Sequence, residues 1–285
     1  MVTGIVDVGG GMRGIYAAGI LDCCMEHGVH FDCCIGVSAG SANVASYLAG
    51  QQGRNYRYYQ EYALRKEYMG MGNLLHTGSY INLNYVYGTL SNSGGEDPMD
   101  FEALMANPAR LFVVATHAET GEARYFTKAD LRQDDYRIFM ASSCVPGVNK
   151  PFLLNGVPYF DGALSDPVPV EKAFSEGCDR VVLLLTKPAD VIRKPGKDPI
   201  LASTIQRRYP VAARQLLLRA QRYNVAIAAA KRYQREGRVL ILSPADTFGV
   251  DTLKRDKQAL QRLYQEGVQD GSKVLEWMRD AAGQV

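Results

Sequence analysis

The sequence predicts an α/β protein with a central, mostly parallel sheet, and three observations carry that expectation. Two short apolar runs near the N-terminus each close on a glycine turn and pass into a helix-compatible stretch. Strand-like and helical stretches then alternate along much of the chain, and no composition break divides it. Parallel strands need crossovers of this kind. With 285 residues and 47% hydrophobic composition the chain can bury a substantial core, so it is read as one domain over residues 1–285 with surface insertions.

Residues 3–8 form the first apolar run, interrupted by Asp7 and closed by Gly9, Gly10 and Gly11, and a helix follows from near Arg13 with Ile15, Ala18, Ile20 and Leu21 on its apolar side. Residues 31–36 repeat the pattern, with a glycine-bracketed turn at Ser38 and a small-residue segment through Ala49. Residues 54–90 hold eight tyrosines, too aromatic for a plain linker. Residues 110–116 and 123–127 read as neighbouring strands around Thr120-Gly121, and 133–143 as a short helix stopped by Pro146-Gly147. Asn155-Gly156 marks a hairpin within 153–160 that delivers the chain to Asp161. Beyond it the pattern gives a helix at 168–176, a buried strand at 180–185, a long helical stretch at 203–235 started or interrupted at Pro210, a strand at 238–242 and a terminal helix at 252–279.

A net charge of +2 with 22% charged residues excludes a nucleic-acid-binding polycation. The N-terminus lacks a basic region followed by an apolar one, and later apolar runs are far too short to span a bilayer, which points to a cytoplasmic protein. In that compartment its six cysteines are expected as free thiols. Cys24, His27, His30 and Cys33 recur at zinc-ligand spacing, but a helix ending near residue 26 and a strand starting near 31 send them in different directions. They are read as small buried thiols and surface histidines, with no metal and no cofactor called for.

Gly36-Val37-Ser38-Ala39-Gly40 fits the nucleophile elbow G-x-S-x-G, where flanking glycines avoid collisions at a tight strand-to-helix turn. A serine hydroxyl needs an adjacent base. The four histidines are His27, His30, His76 and His117, so the order serine, acid, late histidine is unavailable. Either the base is a carboxylate or the elbow is idle. Gly9, Gly11 and Gly14 also satisfy the dinucleotide spacing G-x-G-x-x-G, which keeps open a non-catalytic nucleotide- or phosphate-binding module. That reading needs an acid at the far end of the second strand, whereas Asp32 starts that strand and Ser38 ends it. Beside an elbow, the N–H groups of Gly10, Gly11 and Ala39 would instead form an oxyanion hole. Arg13 would either brace this turn or attract a substrate phosphate.

Residues 9–14, the Ser38 elbow and Asp161-Gly162-Ala163, in that order, resemble the patatin-like phospholipase family, with its G-G-G-x-R-G loop, G-x-S-x-G elbow and D-G-G or D-G-A motif. Residues 141–147 and 165–169 are similar to the family's flanking segments. The resemblance is specific over about residues 3–185, and vaguer over the helical part at 198–285. It implies a three-layer α/β/α sandwich and a dyad of Ser38 and Asp161 that hydrolyses acyl esters of lipids through an acyl-enzyme, with Gly9, Arg13, Gly14, Gly36, Gly40 and Gly162 in support. Ala163 departs from the commoner glycine. Two other carboxylates, Asp7 and Asp166, lie near these motifs without belonging to them.

The Tyr-rich stretch, with Met69, Met71, Leu74 and Leu75, is the candidate lid or interfacial cap over an acyl channel, the alternative being a partly exposed helix face. Nine basic residues between 198 and 240 face two acidic ones. Such a stretch would either dock peripherally on anionic lipid at the inner membrane face or form an ordinary solvated helix face.

Overall fold

A computed structural model describes residues 1–282, with side chains through residue 279. Eight strands, β1 (Thr3–Asp7), β2 (Cys33–Val37), β3 (Arg110–His117), β4 (Ala123–Phe126), β5 (Phe152–Leu154), β6 (Val157–Asp161), β7 (Arg180–Leu184) and β8 (Val239–Leu242), make one sheet in the order β5-β6-β3-β2-β1-β7-β8, with β4 also on β3. From β3 to β8 all neighbours are parallel, whereas β4 and β6 run antiparallel to β3, and β5 to β6.

The central strands are buried on both faces, which is why their apolar runs are continuous. Successive side chains divide between two cores: Ile5, Cys34, Leu111, Val113, Val182 and Leu184 face one, and Val6, Ile35, Phe112, Val114, Val181 and Leu183 the other. The helices are α1 (Ile15–Glu26), α2 (Ala39–Leu48), α3 (Arg54–Gln60), α4 (Met71–Thr77), α5 (Phe101–Ala106), α6 (Arg137–Ser142), α7 (Val170–Ser175), α8 (Asp198–Ile205), α9 (Pro210–Arg235) and α10 (Lys257–Ala282). Residues of α1, α2, α3, α6 and α10 fill the first core, and residues of α7 and α9 the second. A third cluster joins α8 and α9 to Phe160 and Leu164. The expected three layers are present.

Glycine packing welds α10 to α1. A Cβ on Gly19 would stand 2.3 Å from the Tyr264 carbonyl oxygen, and one on Gly267 would stand 2.1 Å from that of Tyr16. Only hydrogen at those positions lets the helices approach so closely. Tyr16 then donates to Asp270 (2.5 Å) and Tyr264 to Asp22 (2.8 Å) across the seam.

Several expected boundaries move for local reasons. The helix expected from 133 starts at Arg137 because Asp134 takes φ +61°, which a helix excludes. The stretch expected at 203–235 is two helices, each with proline near its start, and the first begins earlier, at Asp198. The terminal helix starts at Lys257, five residues late: Asp251 folds a turn by accepting from Leu253 and Lys254, and Asp256 caps the helix through Ala259.

The region at 54–90 is helical, as expected, and includes a π-helix at Tyr85–Leu90. Its tyrosines do not form an interfacial belt. Tyr59, Tyr62, Tyr68, Tyr85 and Tyr87 are buried in the first core, Tyr58 and Tyr80 are half-buried against it, and Tyr56 packs on the Tyr264 ring. Met69 is buried as well, which leaves Met71, Leu74 and Leu75 of α4 as the exposed apolar side chains. Among the described residues, no helix is long and apolar enough to cross a membrane.

Candidate active site

Ser38 lies between β2 and α2 at φ +55°, a conformation costly for a residue with a Cβ. The surroundings enforce it. A Cβ on Gly36 would be 2.3 Å from Ser41 Cα, and one on Gly40 would be 2.4 Å from the Asp7 carbonyl oxygen, so both flanks of the elbow require glycine. Ser41 Oγ donates to the Ser38 carbonyl (2.6 Å).

The Ser38 N–H donates to Ser142 Oγ (2.9 Å), and Ser142 donates in turn to the Val114 carbonyl (2.6 Å). Ser142 therefore ties the elbow to β3 and occupies the nucleophile's own amide. Ser142 lies in the family-like segment 141–147, but nothing in the sequence assigns it to the elbow.

Gly9, Gly10 and Gly11 all take positive φ, so the turn they form depends on glycine. A Cβ on Gly9 would fall 3.1 Å from the Ala39 nitrogen, which puts the turn directly against the start of α2. Gly11 opens a 3-10 helix and Ala39 opens α2, so neither N–H has a carbonyl of its own helix to reach. The turn is fastened from three sides: Asp7 accepts from Gly9 N–H (2.8 Å), Thr186 donates to the Gly9 carbonyl (2.5 Å), and Met12 N–H donates to the Thr252 carbonyl (3.2 Å).

Asp161 ends β6 and pairs with Ala115 of β3, whose preceding residue, Val114, pairs with Val37, the residue before Ser38. Sheet register thus brings residues 123 positions apart in sequence to one edge. Gly162 packs on β3, where a Cβ would meet the Val114 carbonyl at 2.3 Å. Asp161 is buried, 3% exposed, and burial pushes its carboxyl above the usual range. Hydrogen bonding with the Ser38 side chain, the Ala163 N–H at 2.9 Å and the charges of Arg219 and Arg193 pull it part of the way back.

The other two carboxylates face elsewhere. Asp7 lies beneath the elbow with one oxygen on Gly9 N–H and the other on Asn43 Nδ2 (2.9 Å), and burial raises its pKa to about 6. Asp166 accepts from the Tyr125 hydroxyl (2.6 Å). Asp32 accepts from Thr3 N–H at the start of β1, the opposite end of the sheet from the glycine turn, where it cannot serve a ribose bound at that turn. Arg13 is buried and donates to Thr252 Oγ1 (3.3 Å), the bracing role, while its Nε has no partner. Cys24 is buried in α1, Cys33 in β2, and His27 Nδ1 bonds to the Cys23 carbonyl.

Beside the elbow is a pocket lined mostly by apolar side chains, Ala39, Ala42, Tyr58, Val86, Tyr87 and Phe139 among them, with Arg54 and Asp97 also at its wall. Its wall comes from α2, α3, α6 and the π-helix. Of the nine basic residues at 198–240, at least four are engaged within the molecule: Arg219 pairs with Asp198, Arg222 donates to the Leu164 carbonyl, Lys231 pairs with Asp190, and Arg238 lies over the Phe174 and Tyr233 rings.

The family model for patatin-like phospholipases matches residues 8–174, which include every motif above. The chain belongs to the patatin-like phospholipase family. That family acts on lipid acyl esters. A second model, for a domain of unknown function, DUF6363, matches residues 209–282. Over 206 residues the chain is 29% identical to the uncharacterized protein YjjU of Escherichia coli (strain K12), covering 67% of this chain and 54% of that one. Over 186 residues it is 24% identical to the lysophospholipase NTE1 of Candida albicans, covering 63% of this chain and 13% of that one. The chain thus spans about half or less of the length of these relatives. Among solved structures it is similar in fold to VipD from Legionella pneumophila, with a TM-score of 0.50, 14% identity, and 96% of this chain and 67% of that one covered.

Proposed function

We propose that this protein hydrolyses acyl esters of lipids, of the phospholipase A, lysophospholipase or carboxylesterase type, through a dyad of Ser38 and Asp161. The observation that carries this reading is the meeting of a strained serine with a buried carboxylate at one sheet edge. Asp161 takes the Ser38 proton as Oγ attacks the acyl carbonyl, and its raised basicity suits that step. The oxyanion forms beside the N–H groups of Gly10, Gly11 and Ala39, which are fixed before the charge develops. Asp161 then protonates the leaving alcohol, and an acyl group remains on Ser38. Water, deprotonated by the same carboxylate, releases the acid and restores the serine.

The acyl chain occupies the cavity beside Ala39, and residues 1–282 act as a single unit because α10 is packed into the same core as the elbow. The exposed side chains of Met71, Leu74 and Leu75 give α4 an apolar surface for peripheral contact with lipid. A fluorophosphonate probe is expected to label Ser38, and hydrolysis of a medium-chain ester to vanish in both Ser38→Ala and Asp161→Asn. Normal turnover by either folded variant would overturn the dyad.

A further inference from the structure

On the opposite side of the catalytic edge from the acyl cavity, four cations gather. β7 leads into Thr186 and Lys187 next to the glycine turn, for Thr186 bonds to Gly9, and a Cβ on Gly10 would lie between Thr186 Oγ1 (2.5 Å) and Arg13 Nη2 (3.3 Å). Arg193, on the loop that follows, and Arg219, on α9, share the buried Asp198. Asn224 holds the Arg193 backbone at both its N–H and its carbonyl (2.9 Å each), and the Arg193 guanidinium lies 5.6 Å over the Tyr223 ring. The Lys187 ammonium is exposed and has no hydrogen-bond or ion-pair partner among the described residues.

These groups repel one another. Burial is the first cause that disfavours the charged forms of Lys187 and Arg193; Arg13, Arg193 and Arg219 add to it at Lys187 against Asp251, and Arg219 and Arg13 add to it at Arg193 against Asp198. The acids within reach are Asp198, shared by two of the arginines, Asp251, whose Oδ1 already accepts two backbone N–H groups, and the dyad's own Asp161. Four cations against three carboxylates leave one positive charge in excess, which an anion would balance. Arg13, nine-tenths buried, still has an unpartnered Nε. Arg222, three residues along α9 from Arg219, donates to the carbonyl of Leu164, three residues past Asp161, so this part of α9 packs beside the aspartate's turn, and the charges of Arg219 and Arg193 act on Asp161.

We propose that Lys187, Arg193 and Arg219, with Arg13 at the inner end, bind the phosphate of a glycerophospholipid headgroup while the acyl chain lies across the edge in the apolar cavity. The inference rests on the hydrolase reading and assigns residues to the headgroup side of its substrate. Residues 187, 193 and 219 lie outside the segment matched by the phospholipase model, and α9 falls within the domain of unknown function, which on this account supplies half of the substrate site. Strands β2, β1 and β7 are adjacent, so Lys187 leaves the sheet about 10 Å from the Ser38 strand, a span suited to a glycerol linker.

Two measurements on the full chain decide it. First, wild type is expected to bind glycerol 3-phosphate in calorimetry, and the double variant Lys187→Ala, Arg193→Gln to bind it at least about tenfold more weakly. Arg235→Ala, which removes a charge from the far end of α9, is expected to bind as wild type does. Second, kcat/KM for 1-acyl-lysophosphatidic acid relative to 1-monoacylglycerol of equal chain length should fall about tenfold in the double variant and hold in Arg235→Ala. Equal binding and an equal ratio in the double variant would overturn the headgroup site. Tight binding of inorganic phosphate that does not compete with lysophosphatidic acid would also overturn it, in favour of a free-phosphate site. If wild type turns over monoacylglycerol through Ser38 with no preference for the phosphorylated lipid, the subsite fails and the hydrolase stands. If neither lipid is cleaved, the hydrolase reading fails and calorimetry still decides whether the anion site exists.

Discussion

The catalytic edge and α4, the exposed tip of the cap at residues 54–90, are built on opposite terms. At the edge, Gly9, Gly36, Gly40 and Gly162 each have backbone within 2.4 Å of where a Cβ would sit, so residue type is dictated by contact. In the cap, Gly70 and Gly72 have nothing within 4 Å, and Met71 and Leu75 stand in solvent. Such contacts leave the backbone around Ser38 and Asp161 little freedom, which suits the proposed dyad. The exposed side chains of α4 meet no such demand, whereas the tyrosines beside them are packed into the first core.

The sharpest break of that contrast is at the dyad. Ser38→Ala and Asp161→Asn should each lower kcat/KM on a medium-chain ester by at least about a thousandfold with the fold intact, because each removes a participant in the same step. Next comes backbone sterics. Gly40→Ala puts a Cβ 2.4 Å from the Asp7 carbonyl and 2.7 Å from its carboxyl carbon, so soluble yield and the cooperative melt should both collapse. Gly72→Ala, inside α4 and in open space, should instead hold or raise Tm, as alanine favours a helix by about 1 kcal/mol over glycine. Equal effects at positions 40 and 72 would erase the distinction between edge and cap.

Asp7 sharpens it further through pH. Its carboxyl is raised from 3.8 to about 6, so between those values the native protein holds a proton that the unfolded chain releases. Stability therefore falls as pH rises across that window and levels off above it. Melting curves of wild type and Asp7→Asn compared at pH 4.5 and 7 should show this component only in wild type. Activity should move the opposite way, because Asp161 must be ionised to act as base and its own pKa is raised: kcat/KM falls on acidification. Asp7→Asn should also cost about tenfold in turnover by loosening the glycine turn that it holds. A wild-type pH dependence preserved in Asp7→Asn would show that the proton resides elsewhere.

The same contrast explains what the sequence could and could not say. The layers and the two glycine turns were legible because glycine at a fixed offset from a strand has few other uses, whereas the absence of a late histidine left either a carboxylate base or an idle elbow, and Asp161 was singled out by the family resemblance. Ser142 was not legible, since a serine at the end of a short helix is ordinary until register places it under Ser38. The tyrosines of residues 54–90 misled, because composition counts rings without saying that most turn inward. The basic count at 198–240 could not say which charges turn inward: Arg219 pairs with Asp198 and Arg222 with the Leu164 carbonyl, and the meeting of Arg219 with Arg193 at Asp198 is a product of tertiary packing between a loop and α9. Charge along a chain reports net balance, whereas charge at a site depends on contacts far apart in sequence.

The smallest expected effect lies at the exposed tip of the cap. Leu75 is 79% exposed, so Leu75→Ser should change stability by less than about 0.5 kcal/mol. If α4 meets lipid, however, that substitution removes apolar area from the contact, and the rate on vesicle-borne substrate relative to a soluble ester should fall by roughly threefold to tenfold. Met71→Ser, on the same short helix and 60% exposed, should add to the loss. An unchanged ratio in the double variant would detach the cap from substrate capture and leave its exposed side chains as unremarkable surface, while the dyad and the cation cluster would stand on their own tests.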